Sequence, residues 1–356
     1  MLLAYLNRRS KAEFDVSVIV PEGSLLIPEL MKTGVKLYPI QNIANRSFHR
    51  RAVSGLLRIF KEMRPDIVHT HAAFSARVAA KMYGKCKIVH TRHSVFDQAE
   101  RKKRFPMKQI LGFANNFFSH VIIAVSPAAK VNIVETGTKP DKITVVYNGV
   151  EPLEPITPDE RDFERARWGL SPDDFVCSIV ARLEPEKGHD YILQAAKRFK
   201  EELPQVRILI AGTGSQESRL RSEAEEAELS NVVFAGFVDD VRILYGISDV
   251  SLNASYGTEA TSLALLESMS LGVPAVVSDF GGNPFVVSDG IDGLLFQKNS
   301  SNGLFNAVAE LYQDRELYNN MSVNAYGKFM ERFTAQAMAV GIEGVYRGLL
   351  DGSKRN

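Results

Sequence analysis

A chain of 356 residues with 45% apolar content is long enough for two domains with packed cores, and its composition excludes a disordered protein. No apolar run reaches the roughly 20 residues that a membrane-spanning helix needs, and MLLAYLNRRSK is too short in its apolar part for a signal peptide. The net charge of +1 conceals a division: residues 1–150 carry 24 Lys and Arg against 10 Asp and Glu, and the remainder carries 19 against 32, so an anionic partner should meet the first part.

In chain order, LLAYLNRRSK reads as the end of a helix, followed by the β-branched runs DVSVIV, VKLYPI, DIVHTH, KIVHTR, VIIAV and ITVVYN. EPLEPITPDERD, with three prolines and a run of acids, interrupts the rhythm and marks a domain boundary. The pattern then resumes with FVCSIVA, VRILIAG, NVVFAG, DVSLNA, PAVVSD and GLLF, separated by helical stretches such as DYILQAAKRFKEEL and SRLRSEAEEAEL. Strands alternating with helices predict the α/β class, as two Rossmann-like, doubly wound parallel-sheet domains facing a cleft. Their expected bounds are 1–152 and 153–334, with a last helix over about 335–356. The fold would also place a strand and a glycine-rich turn before DVSVIV, so we expect a truncated chain or a misplaced start, lacking roughly 20–30 residues. Cys86 and Cys177 lie far apart in strand-like runs, which suits a reduced, cytoplasmic setting.

The most informative stretch is SYGTEATSLALLESMSLGVPAVVSDFGGNPFVVSDGIDGLLF, residues 255–296. Thr258, Thr261 and Ser262 are hydroxyl residues of the kind that cap helices, and LALLESMSL is rich in helix formers, so a helix is expected to start near Thr261. Glu259 would lie at that start, and Glu267 about two turns deeper, roughly 12 Å away if both were helical. Glycosidases hold their two carboxyls about 5–9.5 Å apart, so this pair is too widely spaced for hydrolysis of one bond. An elongated ligand with hydroxyls at both ends and a diphosphate over Thr261, Ser262 and Leu263 suits it better, and a nucleotide sugar has that layout.

Other residues suit the same ligand. Arg182 and Lys187 in VARLEPEKGHDYI follow a strand and open a helix, and two cations there suit a diphosphate. Gly212 and Gly214 follow VRILIA and would let the backbone come near phosphate or sugar. Four histidines, His69, His71, His90 and His93, alternate along two strands without HExxH or CxxC spacing, which argues against a metal site. There is no Asp-x-Asp either, so Arg182 and Lys187 would take the place of Mg²⁺.

With Glu259, seven residues, Glu267, then Gly272, Pro274, the strand AVVS and the turn Gly281–Gly282, the chain resembles the retaining glycosyltransferases of family 4. Arg182-Leu-x-x-x-Lys187-Gly and the turn Asn148–Gly149 are similar to that family as well, the latter with a structural role. Two positions depart from it: Ala260 stands where glycine is usual, and Phe285 where glutamate is usual. The resemblance implies a GT-B fold and transfer of a sugar, with retention, from a nucleotide donor, foremost a UDP-sugar, to a glycan or lipid-linked acceptor. It implies that His93 acts near the transferred sugar with Arg182, Lys187 and Glu259, and that Glu267 holds the ribose. Phe237 and Val238 would meet the base, and His71 and Phe74 would line the acceptor side; His69 and His90 are read as structural. No metal cofactor and no nucleic acid are expected. QAERKKRFPMKQILGFANNFF joins a cationic cluster to apolar residues, which suits the inner face of an anionic membrane. A nucleotide-sugar epimerase of the same fold, or a catalytically weak sugar-nucleotide-binding protein, are the alternatives.

Overall fold

Alternation of apolar side chains across each β-branched run lets both faces of a sheet be covered by helices, and all twelve runs form strands. The structure, a computed structural model, describes residues 1–41, 47–71, 73–93, 95 and 104–352. It divides into two units: Met1–Ser94, Gln98–Gly149 and Ala335–Asn356 form the first, and Val95–Asp97 with Val150–Thr334 form the second.

The second unit is one parallel sheet of six strands, β7 (Phe175–Val180), β8 (Val206–Ala211), β9 (Val232–Gly236), β10 (Val250–Asn253), β11 (Ala275–Ser278) and β12 (Gly293–Phe296). Their order is β12-β11-β10-β7-β8-β9, so the winding reverses between β7 and β10. Strand alternation divides β7 between two cores. Cys177 and Ile179 pack with Leu193 and Phe199 of the helix His189–Glu202, while Val176 packs with Leu244 and Ile247 on the other face. The proline-rich boundary is itself partly ordered, because Thr157 and Glu160 form a reciprocal cap that starts the helix Pro158–Arg167.

The first unit has its sheet in two pieces. β1 (Ser17–Pro21) pairs with β2 (Lys36–Ile40), and β3 (Ile67–His71), β4 (Lys87–Arg92), β5 (Val121–Ala124) and β6 (Ile143–Val145) pair in that order, all parallel. Among the described residues no ladder joins the pieces, but they share cores on both faces. Val18 and Val20 belong with Val89 and Ile123 to one cluster, and Ile19 and Ile40 pack on Val68 and Ile88 in another. Helix Ala335–Asp351 completes the first of these through Met338, Ala339, Ile342 and Tyr346. Its Arg347 forks onto Glu13 through two 2.7 Å hydrogen bonds, and Glu343 accepts from the Ser10 amide at 2.7 Å.

The register of β3 on β4, His69 opposite Val89 and His71 opposite Thr91, sorts the histidines by face. His69 and His71 share a face with Thr91, and His90 with Arg92 occupies the other. Of the basic, aromatic stretch singled out in the sequence, residues 98–103 lie outside the described residues, and Met107–Phe117 is a helix.

Candidate active site

In the second unit the crevice of an open parallel sheet is expected where the winding reverses, at the carboxyl ends of β7 and β10. The loop after β7 carries Arg182 and Lys187, and the loop after β10 carries Glu259. Lys187 Nζ lies 3.0 Å from Glu259 Oε2, which also accepts from Asn253 Nδ2 at 3.3 Å and Ser255 Oγ at 3.2 Å. Glu259 is 7% exposed, so one cation and two neutral donors compensate a buried carboxylate. Ser278 Oγ donates to the Ser255 carbonyl at 2.6 Å, and Asn283 Nδ2 donates to Asn253 Oδ1 at 3.4 Å, which fixes those donors in turn.

Glycines press the loops into place. The Gly282 amide donates to the Glu259 carbonyl at 2.9 Å, and a Cβ on Gly281 or Gly282 would collide with the carbonyl of Glu259 or Ala260. Gly212, at φ +136°, and Gly214 approach the carbonyls of Ala181 and Leu183 in the same way. Their small size therefore serves a backbone approach to the loop that carries Arg182, where the sequence suggested an approach to phosphate. Arg182 itself reaches outward, with an ion pair to Glu186 at 3.4 Å, and does not join the Lys187–Glu259 pair.

The helix expected near Thr261 runs over Leu263–Ser270, capped by Ser262 Oγ, which accepts from the Leu265 amide at 3.4 Å. Thr261 is buried before it, and Leu263 is partly exposed as its first residue. Glu259 is thus not helical, which corrects the geometry inferred for the two glutamates. The lysine contact and the Gly281–Gly282 turn hold its backbone in a loop upstream of the cap. Glu267 does lie on the helix. Burial pushes its carboxyl up to about 7, and no described side chain donates a hydrogen bond to it. Phe237 follows β9 at the sheet edge and is 75% exposed, whereas Val238 packs partly into the second core.

In the first unit the strand ends gather imidazoles. His71 Nδ1 and His93 Nε2 share a 2.8 Å hydrogen bond, and the His69 ring stacks on His71 at 4.6 Å. His69 is held between Tyr346 Oη and Thr91 Oγ1, each at 2.6 Å. Burial holds His71 down at about 3 and His93 at about 4, so the pair is neutral at physiological pH. Phe74 opens the helix Phe74–Tyr83, its ring beside Phe118 and under the Arg77 guanidinium. Among the described residues no three His, Cys, Asp or Glu side chains gather in a way that could hold a metal ion.

Two family models match successive parts of the chain, "Glycosyl transferases group 1" over residues 160–328 and "Glycosyltransferase Family 4" over residues 2–152. The chain belongs to the group 1, family 4 glycosyltransferases. It is 28% identical over 348 residues to the Escherichia coli UDP-Gal:alpha-D-GlcNAc-diphosphoundecaprenol alpha-1,3-galactosyltransferase, covering 94% of this chain and 89% of that one. It is also 28% identical over 320 residues to the Escherichia coli O-antigen chain mannosyltransferase C, covering 87% and 82%. Its backbone matches Anabaena HepE, solved in complex with UDP, with a TM-score of 0.83 at 21% identity over 97% of this chain and 95% of that one. A glycosyltransferase from Rickettsia africae matches with a TM-score of 0.82 at 20% identity, over 98% and 94%. The glycosyltransferase is an α/β enzyme of the GT-B fold.

Sequence reasoning missed the four residues that hold Glu259 and its neighbours, Asn253, Ser255, Ser278 and Asn283. Their signal was present: buried strands β10 and β11 end in polar residues, and a polar residue at the carboxyl end of a central strand is either satisfied there or functional.

Proposed function

We propose that this glycosyltransferase moves a sugar from a UDP-sugar to a hydroxyl of a lipid-diphosphate-linked glycan, with retention at the anomeric carbon. The observation that carries the reading is the buried Lys187–Glu259 pair at the winding reversal of the second unit, with the unpartnered carboxyl of Glu267 on the helix that follows. Glu267 is assigned the ribose hydroxyls, which supply the donors it lacks. Lys187 and Arg182 are assigned the diphosphate, and Glu259 orients Lys187 and meets the sugar. The acceptor oxygen bonds to the anomeric carbon while the bond to the diphosphate oxygen breaks. The acceptor proton passes to that departing oxygen on the same face, so the protein chiefly positions and stabilises. His93 and His71, neutral and hydrogen-bonded, are assigned to the sugar and the acceptor hydroxyl. The donor and acceptor named for the Escherichia coli galactosyltransferase, and the UDP held by HepE, support these choices.

The test is incubation with UDP-, GDP- and ADP-sugars and undecaprenyl-diphosphate-linked sugars, with product linkage read by NMR. An α-linked product from an α-linked UDP-sugar is expected. An inverted product, or conversion of donor without any acceptor to an epimeric sugar nucleotide, overturns the reading. Transfer is expected to persist in chelator, because the two cations neutralise the diphosphate; loss in EDTA restored by Mg²⁺ would overturn that assignment.

The same proposal places the enzyme at the cytoplasmic face of a membrane. Helix Met107–Phe117 turns its small and polar side inward: Gly112 abuts the Gly137 backbone, and Asn115 and Asn116 bond to Thr138 Oγ1 and the Gly137 carbonyl at 2.9 and 3.2 Å. Ile110, Phe113 and Phe117 face outward and are exposed, with Lys81 4.4 Å over the Phe117 ring. A helix apolar toward solvent and flanked by cations suits an anionic bilayer. Among the described residues no helix is long and apolar enough to cross one. Cosedimentation with phosphatidylglycerol vesicles should weaken about tenfold or more in Phe113→Glu, from the loss of one buried aromatic side chain. Equal binding by the variant, or no preference over neutral vesicles, would count against the contact.

A further inference from the structure

The sheet of the first unit carries a second polar cluster that sugar transfer does not use. Strand alternation turns His90 and Arg92 of β4 away from His71 and His93, toward the helices Phe74–Tyr83, Met107–Phe117 and Pro127–Glu135. With Arg77, Asn115, Asn132, Thr136 and two isoleucines they line a cavity of about 50 Å³. One water needs about 10–15 Å³, so the space suits a small polyatomic group and excludes a sugar nucleotide.

Arg77 is 8% exposed. Its Nη1 donates to two neutral oxygens, Asn115 Oδ1 at 3.1 Å and Ser119 Oγ at 3.4 Å, its guanidinium lies 4.9 Å over the Phe74 ring, and its Nε has no partner. It forms no ion pair with a described residue, and none of the described residues lining the cavity is acidic. Burial, with the charge of Arg92 adding to it, lowers Arg77 to about 10. A guanidinium buried without a counter-charge is costly, and a second one on the same cavity raises that cost. An oxyanion removes both penalties, because planar guanidinium forks match its oxygens and the amides of Asn115 and Asn132 lie beside them.

We propose that this cavity binds a phosphate-type oxyanion between Arg77 and Arg92. Arg92 directly precedes His93, so an anion gripped there braces the end of β4 from behind and fixes the His93–His71 pair. That consequence rests on the role given to His93 above, whereas the binding does not.

Thermal unfolding and titration calorimetry with potassium phosphate against chloride at equal ionic strength, with UDP saturating the donor unit, test it. Saturable stabilisation by phosphate is expected, weakened about tenfold or more in Arg77→Gln and Arg92→Gln from loss of charged hydrogen bonds. Glycerol phosphate separates the sources: binding as tight as inorganic phosphate assigns the cavity to the phosphate group of a larger molecule, and binding of inorganic phosphate alone assigns it to the free ion. Diffraction from crystals in selenate should place an anomalous peak between the two guanidiniums. Phosphate stabilisation unchanged in folded Arg92→Gln, or no peak at saturating selenate, overturns the proposal. Should Arg77→Gln not fold, Arg92→Gln and the selenate peak decide.

Discussion

The histidine cluster of the first unit is partly buried and neutral, whereas the Lys187–Glu259 cluster of the second is ionic around a buried carboxylate. Neutral imidazoles can exchange donor and acceptor roles along a hydrogen bond without moving charge, which suits contact with sugar hydroxyls. An ion pair cannot do that, but it offers fixed charge to a leaving group whose own charge grows as the bond breaks. The difference therefore assigns each unit a different kind of work, and it can be tested by removing the charge on one side and by titrating the other.

The largest effect should come from Lys187→Ala. It leaves Glu259 buried without its cation, so unfolding in guanidinium should show a loss of about 3–5 kcal/mol, and transfer should fall about 10²–10³-fold. Adding Glu259→Gln should recover much of the stability and none of the turnover. A Lys187→Ala protein as stable as wild type would mean that the pair is not the anchor of its loop.

A smaller effect is expected from His93→Ala, about tenfold in kcat from one lost hydrogen bond. The wild-type rate should show no inflection from His71 or His93 near pH 6.5, since both titrate far below it. Because their folded pKa values are depressed, the stability they contribute is complete above the ordinary histidine value and is lost as pH falls toward about 4 and then about 3. An NMR titration placing either imidazole near 6.5 would break the contrast between the units.

The smallest effect belongs to Glu267. Its folded pKa of about 7 lies above its ordinary value of 4.5, so its contribution to stability is full below the ordinary value and is lost as pH rises through about 7. Glu267→Gln should therefore gain more in Tm over wild type at about pH 8 than at about pH 5. The carboxylate accepts two ribose hydroxyls better than the acid does, so donor KM in wild type should fall across the same range, and the variant should lose that dependence. A pH-independent KM in wild type would remove Glu267 from the ribose.

Strands were the most legible part of this chain, because six runs in each half combined β-branched composition with regular spacing. Glu259 stood out in the sequence as a candidate, but its place in the fold did not. Thr258, Thr261 and Ser262 all qualify as caps, and only the contacts of Lys187 and Gly282 decide that the helix waits for Ser262. Asn253, Ser255, Ser278 and Asn283 were passed over for a related reason: polar residues at or just after strand ends were a weak signal, and each looks ordinary until parallel pairing of β10 with β11 brings the two strand ends side by side. Gly212 and Gly214 were legible as a close approach, while what they approach is set by the neighbouring strand. Arg77, in the helical run FSARVAAKMY, was not singled out in the sequence and is among the most buried charged residues described.

Helix Ala335–Asp351 also sets an order of events during synthesis. Nearly all of the second unit is one continuous stretch of chain, so it can close as soon as that stretch has left the ribosome. The first unit cannot: Met338, Ile342 and Tyr346 fill its core, and Tyr346 is the group that fixes His69 beneath the His71–His93 pair. The segment made first is therefore completed last, and the His71–His93 pair takes up its arrangement only after the second unit already exists.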